Sequence, residues 1–329
     1  MKALRQQLAR WFQRHGRDLP WRRTTDPYAI MVSEFMLQQT QVTTVIDYYH
    51  RWLKRFPDFK ALAAASEAEV LHVWQGLGYY ARARNLHRAA RTVTEQYGGA
   101  LPNDLAAIAA LPGIGRYTAG AVATFAFDRA TPIVDANIAR VLARLVNLQE
   151  PVDTTRGAGI LWQTAEALLP KQSGRIHNSA LMELGALLCT PRTPQCLLCP
   201  IREHCRAETP ESLPRKKPRA KTIALTENCA WCVRDGKLLL EQQTGPRWRG
   251  LWKLPQMPEV TPASRLLLAF EYPFTNHRVT LSVYRTAGAE KLSADQRWIP
   301  LADIDAIALA APHRRAINRI HGQELHPER

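Results

Sequence analysis

The 329-residue sequence contains no apolar stretch that approaches the ~20 residues required by a membrane-spanning helix. Acidic residues are also few, since 29 Asp and Glu stand against 44 Lys and Arg and leave a formal net charge of +15. A surplus of this size indicates a polyanionic partner, although some basic proteins carry such charge only for solvation. The composition therefore argues against a membrane protein and favours binding to a polyanion.

The first 17 residues lack acidic side chains and serine. A basic, acid-poor opening resembles a transit peptide, but transit peptides are also rich in serine. Leu4, Leu8, Trp11 and Phe12 instead recur at helical spacing. We therefore predict a first helix that docks on the core, in a cytoplasmic protein (in a bacterium, at the nucleoid).

Cysteine is scarce, with six residues in the chain. Four of them follow one another with gaps of six, two and five residues: Cys189, Cys196, Cys199 and Cys205. Disulfides are one interpretation, but a chain of this length buries a core without crosslinks and shows no secretory signal. Zinc sites more often use two Cys-x2-Cys pairs, and this loop has one. The spacing therefore favours a [4Fe–4S] cluster.

The other two cysteines, Cys229 and Cys232, form a second Cys-x2-Cys pair. A redox or metal role is one possibility, but no further pair follows to complete a zinc site. Because their context is strand-like, we interpret them as buried structural thiols.

The length predicts two domains, because single hydrophobic cores rarely grow past about 250–300 residues. Residues 1–208 show apolar side chains at helical spacing and are predicted to be helical. Residues 209–222 are rich in proline and basic side chains, which is typical of an extended linker. Residues 223–329 contain short β-rich runs, including 238–240 and 279–284, and are predicted to form a small α/β domain.

A Pro-Gly-Ile-Gly turn lies within residues 111–121, between two helical stretches. Gly113 and Gly115 allow a tight bend, because glycine adopts positive φ without steric cost. The turn and the next helix N-terminus would present backbone N–H groups to a phosphate, whatever the base sequence. An ordinary glycine-rich connection is the alternative. The basic charge and the cysteine loop favour a helix–hairpin–helix over about 105–127.

Glu34 lies in the middle of a segment that is apolar on nearly all sides. Asp26 is a good N-cap and Pro27 a good first-turn residue, so we predict a helix from this point through about Gln39. Apolar surroundings favour the protonated form of a carboxyl group, as a general acid requires. The alternative is a structural glutamate satisfied by helix N-termini or by an arginine.

Asp135 precedes another helical stretch, and taken alone it is most simply an N-cap. A carboxylate at a helix N-terminus is expected to stay ionised. Such a charge would also suit stabilisation of a cationic transition state.

The hairpin, the aspartate about 20 residues beyond it and the four-cysteine loop resemble the endonuclease III superfamily of DNA glycosylases. Within it, residues 33–42, 76–86 and 182–186 are similar to signatures of the MutY-type adenine DNA glycosylases. Residues 248–255 resemble that family's C-terminal Nudix-like domain. The resemblance covers essentially the whole chain. It implies a mostly α-helical helix–hairpin–helix domain with a [4Fe–4S] loop at 189–205, followed by an α/β Nudix-like domain.

The resemblance implies base excision repair by a monofunctional enzyme, which hydrolyses the N-glycosidic bond of adenine mispaired with 8-oxoguanine or guanine. This reaction needs a protonated leaving base and a stabilised oxocarbenium-like sugar, and the base must first leave the helix stack. By the family match, Glu34 protonates adenine N7 and later activates water. Asp135 stabilises the sugar cation, with an optional transient covalent adduct, and Asn137 and Tyr117 orient these groups.

The resemblance also implies contacts with double-stranded DNA. The residues implied to surround the extruded adenine are Trp21, Arg22, Leu37 and Glu183. The residues implied to enter the DNA helix or to bind DNA elsewhere are Gln39, Leu77, Tyr79, Gly113, Gly115, Phe274, Thr275 and His277. The family's C-terminal contact loop is a Phe-Ser-His turn, so either Asn276 or His277 takes the place of its histidine here.

Other functions fit the residues less well. Endonuclease III-like lyases carry a lysine after the hairpin that forms a Schiff base, whereas the phenol of Tyr117 cannot form an imine. A Nudix hydrolase needs a glutamate-rich helix to hold Mg²⁺, but only isolated acids such as Glu259 and Glu271 follow residue 255. A non-catalytic DNA-binding iron–sulfur protein would need neither Glu34 nor Asp135. We expect a monomer that binds DNA and no membrane.

Overall fold

The computed structural model describes the chain in five stretches: residues 1–218, 220–257, 259–261, 264–287 and 292–325, with side chains as far as residue 322. The chain divides into two compact units, which we call the helical unit (Met1–Ala64 with Asn85–Pro218) and the α/β unit (Ala65–Arg84 with Arg219–Arg329). Within the described stretches, no helix is long and apolar enough to cross a membrane.

The helical unit consists mainly of α-helices. They are α1 (Lys2–His15), α2 (Pro27–Leu37), α3 (Val42–Arg55), α4 (Phe59–Ala64), most of α6 (Ala81–Tyr97), α7 (Leu105–Ala109), α8 (Arg116–Phe127), α9 (Ala136–Leu145), α10 (Thr155–Leu168) and α11 (Gly174–Leu187). Leu4 and Leu8 of α1 are buried in one core with apolar residues of α9, α10 and α11. This confirms the prediction that the first helix docks.

Local capping sets where the helices of the site begin. The Asp26 carboxylate accepts hydrogen bonds from the backbone N–H groups of Tyr28 (3.1 Å) and Ala29 (3.3 Å), so α2 begins at Pro27 as predicted. The helix ends at Leu37, two residues earlier than predicted, and Gln39 adopts a left-handed φ of 56° that cannot continue it.

The predicted hairpin is formed by α7 and α8. Gly113 has a φ of 75°, and a Cβ atom there would meet the Asn85 side chain at 2.4 Å, so both conformation and space require glycine. Gly115 has an ordinary extended backbone and is the N-cap of α8. The tight turn therefore depends on Gly113 alone.

The α/β unit has two small sheets. In the first, β1 (Ile223–Trp231) pairs parallel to β6 (His277–Arg285), which pairs antiparallel to β5 (Arg265–Phe274). In the second, β3 (Lys237–Gln242) pairs antiparallel to each of its neighbours: β2 (Val233–Arg234), β4 (Trp252–Lys253) and β7 (Gln296–Pro300). The helix α12 (Ala311–Leu325) contributes Ile317 and Ile320 to the core, which confirms the α/β class.

The α/β unit also includes α5 (Glu67–Trp74), whose N-terminus is a capping box between Ser66 and Glu69. Just beyond α5, the Gln75 Oε1 atom accepts hydrogen bonds from the Leu309 backbone N–H (3.1 Å) and Arg314 Nη2 (3.2 Å). The sequence alone did not indicate that this early segment groups with the C-terminal strands.

The proline-rich segment is held on the helical unit as far as Pro218. Leu213 is buried, the Val152 N–H donates to the Arg215 carbonyl (2.9 Å), and the Lys217 N–H donates to Asp153 (2.9 Å). The domain limits 1–208, 209–222 and 223–329 stay predictions.

Candidate active site and iron–sulfur loop

Glu34 is buried in the centre of α2, with 4% of its surface exposed. Burial raises the pKa of this carboxyl group, the Tyr117 hydrogen bond opposes the rise, and the charge of Asp135 adds to it, so that the pKa reaches about 7. Burial and the neighbouring carboxylates also hold the pKa of Tyr117 well above 10. The Tyr117 hydroxyl therefore remains protonated and donates to Glu34.

Asp135 caps α9, and its Oδ1 atom accepts the Ile138 N–H at 2.7 Å. The Asn137 Nδ2 group donates to Oδ2 at 3.0 Å. Burial leaves the pKa of Asp135 raised above its usual value, although the Ile138 and Asn137 donors and the Arg140 charge oppose that rise. The two carboxyl groups thus differ in environment, because Asp135 has several stabilising donors and Glu34 has Tyr117.

A cavity of about 40 Å³ adjoins Glu34. Three of the residues predicted to surround the adenine line it, namely Trp21, Arg22 and Leu37. The other lining residues are Ile30, Ser33, Phe125, Arg175, Ser179 and Met182. Prediction from sequence missed these, although Arg175, Ser179 and Met182 share the i, i+4, i+7 spacing of one face of α11.

Glu183, the fourth predicted adenine-pocket residue, lies behind Arg22 and does not line the cavity. Its carboxylate accepts hydrogen bonds from Arg22 Nη2 (2.7 Å), Arg17 Nε (2.8 Å) and the Arg17 backbone N–H (2.8 Å). Burial raises the pKa of Glu183, but these donors outweigh burial and lower it to about 2. An ionised Glu183 therefore fixes the Arg22 guanidinium at the cavity. Arg17, which the sequence did not single out, is the second arginine that holds the Glu183 carboxylate.

The predicted DNA-contact residues differ in accessibility. Gly113 and Gly115 are exposed at the start of α8, and Gln39 is exposed just after α2. In the α/β unit, Tyr79 is 57% exposed with a φ of 47°, whereas Leu77 is 6% exposed and lies beneath the surface.

The predicted lesion-contact loop is the two-residue turn between β5 and β6. Phe274 pairs with His277 across the strands, and Thr275 and Asn276 form the exposed tip. The Thr275 hydroxyl donates to the Phe274 carbonyl (2.7 Å) and lies 3.3 Å from His277 Nδ1. Thr275 and Asn276 are therefore both exposed at the tip, and His277 is half-buried.

Four thiols surround one cavity at the end of the helical unit. Cys189, Cys196, Cys199 and Cys205 all line it, together with apolar residues of α9 and α11. Arg144, at the last turn of α9, donates to Cys189 Sγ at 3.2 Å. By contrast, Cys229 and Cys232 are buried in the α/β unit, and Cys232 Sγ lies 2.7 Å from the Thr286 hydroxyl.

One helix links the cavity of the cysteines to the Asp135 carboxylate. Arg140 Nη2 donates to Asn137 Oδ1 (2.9 Å) and to the Gly185 carbonyl (2.7 Å), and Arg140 Nε donates to the Cys189 carbonyl (2.7 Å). Asn137 in turn donates to Asp135.

Comparison with known proteins identifies both parts of this arrangement. Residues 32–159 match the family model described as HhH-GPD superfamily base excision DNA repair protein. Residues 189–205 match the iron–sulfur binding domain of endonuclease III. The adenine DNA glycosylase of Mycolicibacterium smegmatis is 43% identical over 201 residues, which cover 61% of this chain and 68% of that protein. The chain belongs to the adenine DNA glycosylase family.

Two further likenesses are consistent with that family. The adenine DNA glycosylase of Mus musculus is 45% identical over 214 residues, which cover 62% of this chain. The match spans 42% of the length of that mammalian relative. A solved structure of a thermostable thymine-DNA glycosylase superposes with a TM-score of 0.58 at 32% identity, over 62% of this chain and 94% of that chain.

This adenine DNA glycosylase family member has a [4Fe–4S] cluster, and the four cysteines, which all lie in the matched segment 189–205, are its candidate ligands. All four thiols line a common cavity, and they lie in the segment that matches the iron–sulfur binding domain.

Proposed function

We propose that this protein excises adenine opposite 8-oxoguanine or guanine in double-stranded DNA, by hydrolysis of the N-glycosidic bond in base excision repair. The observation that carries the proposal is the contrast between the carboxyl groups of Glu34, which is buried, and Asp135, which is half-buried. Glu34 has a pKa of about 7, while Asp135 is held by several donors. The adenine DNA glycosylase relatives support adenine as the excised base.

Glu34 acts as the general acid. With a pKa of about 7, a substantial fraction is protonated at neutral pH, so the carboxyl group can protonate adenine N7 as the glycosidic bond breaks. The Tyr117 hydroxyl orients the carboxyl group. After base departure, the Glu34 carboxylate takes a proton from the attacking water, which restores the acid.

Asp135 stabilises the positive charge that develops on the sugar. Asn137 and the Ile138 N–H fix its oxygens at the start of α9, so little reorganisation is needed when the charge appears. Arg22, Trp21 and Leu37 contact the extruded base in the cavity beside Glu34, and Glu183 positions Arg22.

The same residues argue for hydrolysis without strand cleavage. A lyase needs an amine that forms a Schiff base, and Tyr117 occupies the position where the resembling lyases carry lysine. The hydroxyl of Tyr117 is hydrogen-bonded to Glu34. We therefore propose a monofunctional glycosylase that leaves an abasic site.

DNA binding involves both units in this proposal. The N-terminus of α8, which has no side-chain cap, binds a phosphate through backbone N–H groups beside Gly113 and Gly115. Gln39 and Tyr79 enter the DNA double helix as adenine leaves it. Leu77 enters with them only if its side chain becomes exposed. The β5–β6 turn, Phe274 to His277, contacts 8-oxoguanine.

The test is single-turnover excision from A·8-oxoguanine and A·G duplexes, with alkali to reveal abasic sites. Wild type should excise adenine from both and prefer A·8-oxoguanine, and Glu34→Gln should bind duplex but lose about 10²–10⁴-fold in rate. Glu166→Gln, which changes an exposed glutamate of α10, is the matched control and should excise normally. A Glu34→Gln rate within tenfold of wild type would contradict the assignment. Binding without excision by wild type would instead support a non-catalytic DNA-binding protein.

A further inference from the structure

Arg247 lies between two aromatic rings beside the β5–β6 turn. Its Cζ atom is 3.9 Å from the centroid of the Trp248 ring and 4.1 Å from that of the Phe274 ring. The centroids of the two rings are 6.0 Å apart. A guanidinium stacked on aromatic faces restricts their rotation, because the cation–π attraction favours this one arrangement.

The guanidinium is itself anchored by hydrogen bonds. Arg247 Nη1 donates to Glu227 Oε1 at 2.5 Å, and Nη2 donates to the Tyr272 hydroxyl. The Tyr272 hydroxyl donates to Glu227 Oε2 at 2.7 Å. Glu227 is on β1 and Tyr272 is on β5, so Arg247 is tied to two strands of the first sheet.

Phe274 is the last residue of β5 and the first of the turn Phe274-Thr275-Asn276-His277. The turn contains a left-handed residue, Thr275, with a φ of 52°. The Asn276 carbonyl accepts the Ile223 N–H at 2.9 Å, which fixes the backbone of the tip to β1. The Phe274 side chain packs against the core of the unit and the edge of Trp248, and the Arg247 guanidinium over its ring further limits its rotamers.

We propose that Arg247 is a positioning residue for recognition of 8-oxoguanine, acting through Phe274, with Glu227 as its anchor. This inference rests on the proposed function. Arg247 orders the Phe274 ring before DNA binds, so the turn meets the lesion without a further loss of side-chain entropy. We therefore expect loss of Arg247 to change the discrimination between the two duplexes more than the excision chemistry, which we assign to Glu34 and Asp135.

The experiment measures single-turnover excision from A·8-oxoguanine and A·G duplexes by the full-length holoprotein. Arg247→Met keeps the chain length of the side chain but removes the planar charge. It should lower the ratio of the two rates by roughly fivefold to tenfold, which is the scale of one cation–π contact. Arg247→Lys, which keeps the charge and loses the forked hydrogen bonds, should restore part of the ratio. Glu227→Gln should lower it in the same direction.

The matched control is Arg315→Met. Arg315 also stacks on a β5 ring, with its Cζ atom 4.5 Å from the Phe270 centroid, but that ring is not part of the turn. The control should leave the ratio unchanged. A folded Arg247→Met variant with the wild-type ratio, or with equal losses on both duplexes and no rescue by Arg247→Lys, would overturn the inference.

Two outcomes separate this inference from the proposed function. Equal wild-type rates on both duplexes would contradict the lesion preference itself, and with it the role of Arg247. A wild-type preference that survives Arg247→Met contradicts only the positioning role. If Arg247→Met does not fold, as judged by thermal unfolding, the Glu227→Gln ratio decides.

Discussion

Arg140 donates from Nε to the carbonyl oxygen of Cys189 at 2.7 Å, so a candidate ligand of the iron–sulfur cluster is hydrogen-bonded to a side chain of α9. The same guanidinium donates to Asn137, which donates to the candidate catalytic Asp135. The cluster loop and the active-site carboxylate therefore share one buried hydrogen-bonded arginine. Structure around the cluster is thereby coupled to the orientation of Asp135.

We expect Arg140→Gln to slow adenine excision by about tenfold to 100-fold, the range of a charged hydrogen bond of roughly 1.5–3 kcal/mol. The reason is that Asn137 loses the donor that fixes its amide. Duplex affinity should change less, since the hydrogen-bond partners of Arg140 are Ala136, Asn137, Gly185 and Cys189, which are not proposed DNA contacts. Single-turnover rates, measured beside duplex affinity and iron content, check this. An unchanged rate with a full cluster would show that the Arg140 link is dispensable.

The rate of excision should depend on the protonation of Glu34. Because its pKa is about 7, the protonated acid is lost as pH rises through that value. The single-turnover rate constant should therefore fall about tenfold per pH unit well above pH 7, and level off below it. When enzyme is in saturating excess over duplex, the measured rate constant does not depend on affinity, so its pH dependence reports on the excision step. A rate constant that is flat from pH 6 to pH 9 would argue against Glu34 as the acid.

Glu34 should also lower stability at high pH. Its folded-state pKa is raised from 4.5 to about 7, so its contribution to stability is fully present below pH 4.5 and is lost as pH rises through 7. Glu34→Gln carries no buried charge at pH 8 and should be more stable there by about 1–3 kcal/mol. At pH 5 the difference should be small.

Thermal unfolding of the two proteins at pH 5 and pH 8 measures that difference. For a unit of 150–250 residues, each kcal/mol corresponds to about 2–4 °C in Tm. Glu166→Gln, in an exposed position, is the control and should show no pH-dependent gain. A Glu34→Gln variant less stable than wild type at pH 8 would mean that the carboxylate is better satisfied than its burial indicates.

The sequence predicted those features that depend on neighbouring residues. Asp26 and Asp135 were recognisable as N-caps, because a cap and the N–H groups it binds are within three residues of each other. The contact between Arg17 and Glu183 joins residues 166 positions apart, and no local pattern marks it. The stack of Arg247 on Phe274 likewise joins two distant segments of the chain, the turn before β4 and the end of β5.

The two hairpin glycines should respond differently to alanine. Gly113→Ala must place a Cβ 2.4 Å from the Asn85 side chain at a φ of 75°, so we expect a loss of about 1–3 kcal/mol in unfolding free energy. Gly115→Ala meets nothing within 4 Å and should cost less than about 1 kcal/mol. Gly115→Ala should nevertheless weaken duplex binding, because in the proposed complex its methyl group would stand where the phosphate binds. Wild-type affinity for Gly115→Ala would contradict that contact.

Arg144 should be required to retain the cluster. It is 1% exposed and donates to Cys189 Sγ (3.2 Å) and to four loop carbonyls. These carbonyls belong to Thr190, Pro191, Pro210 and Leu213. Arg144→Met leaves these acceptors buried without a donor, at a cost of about 1–3 kcal/mol for each acceptor that finds no other partner.

Iron and sulfide contents measure this requirement directly. Anaerobically purified wild type should contain about four of each per chain, and Arg144→Met should lose most of both. Arg192→Met, which changes an exposed arginine of the same loop, should retain the wild-type content. A full complement of iron in Arg144→Met would mean that the four thiolates hold the loop closed without the arginine. In that case the link between α9 and the cluster would depend on Arg140 instead.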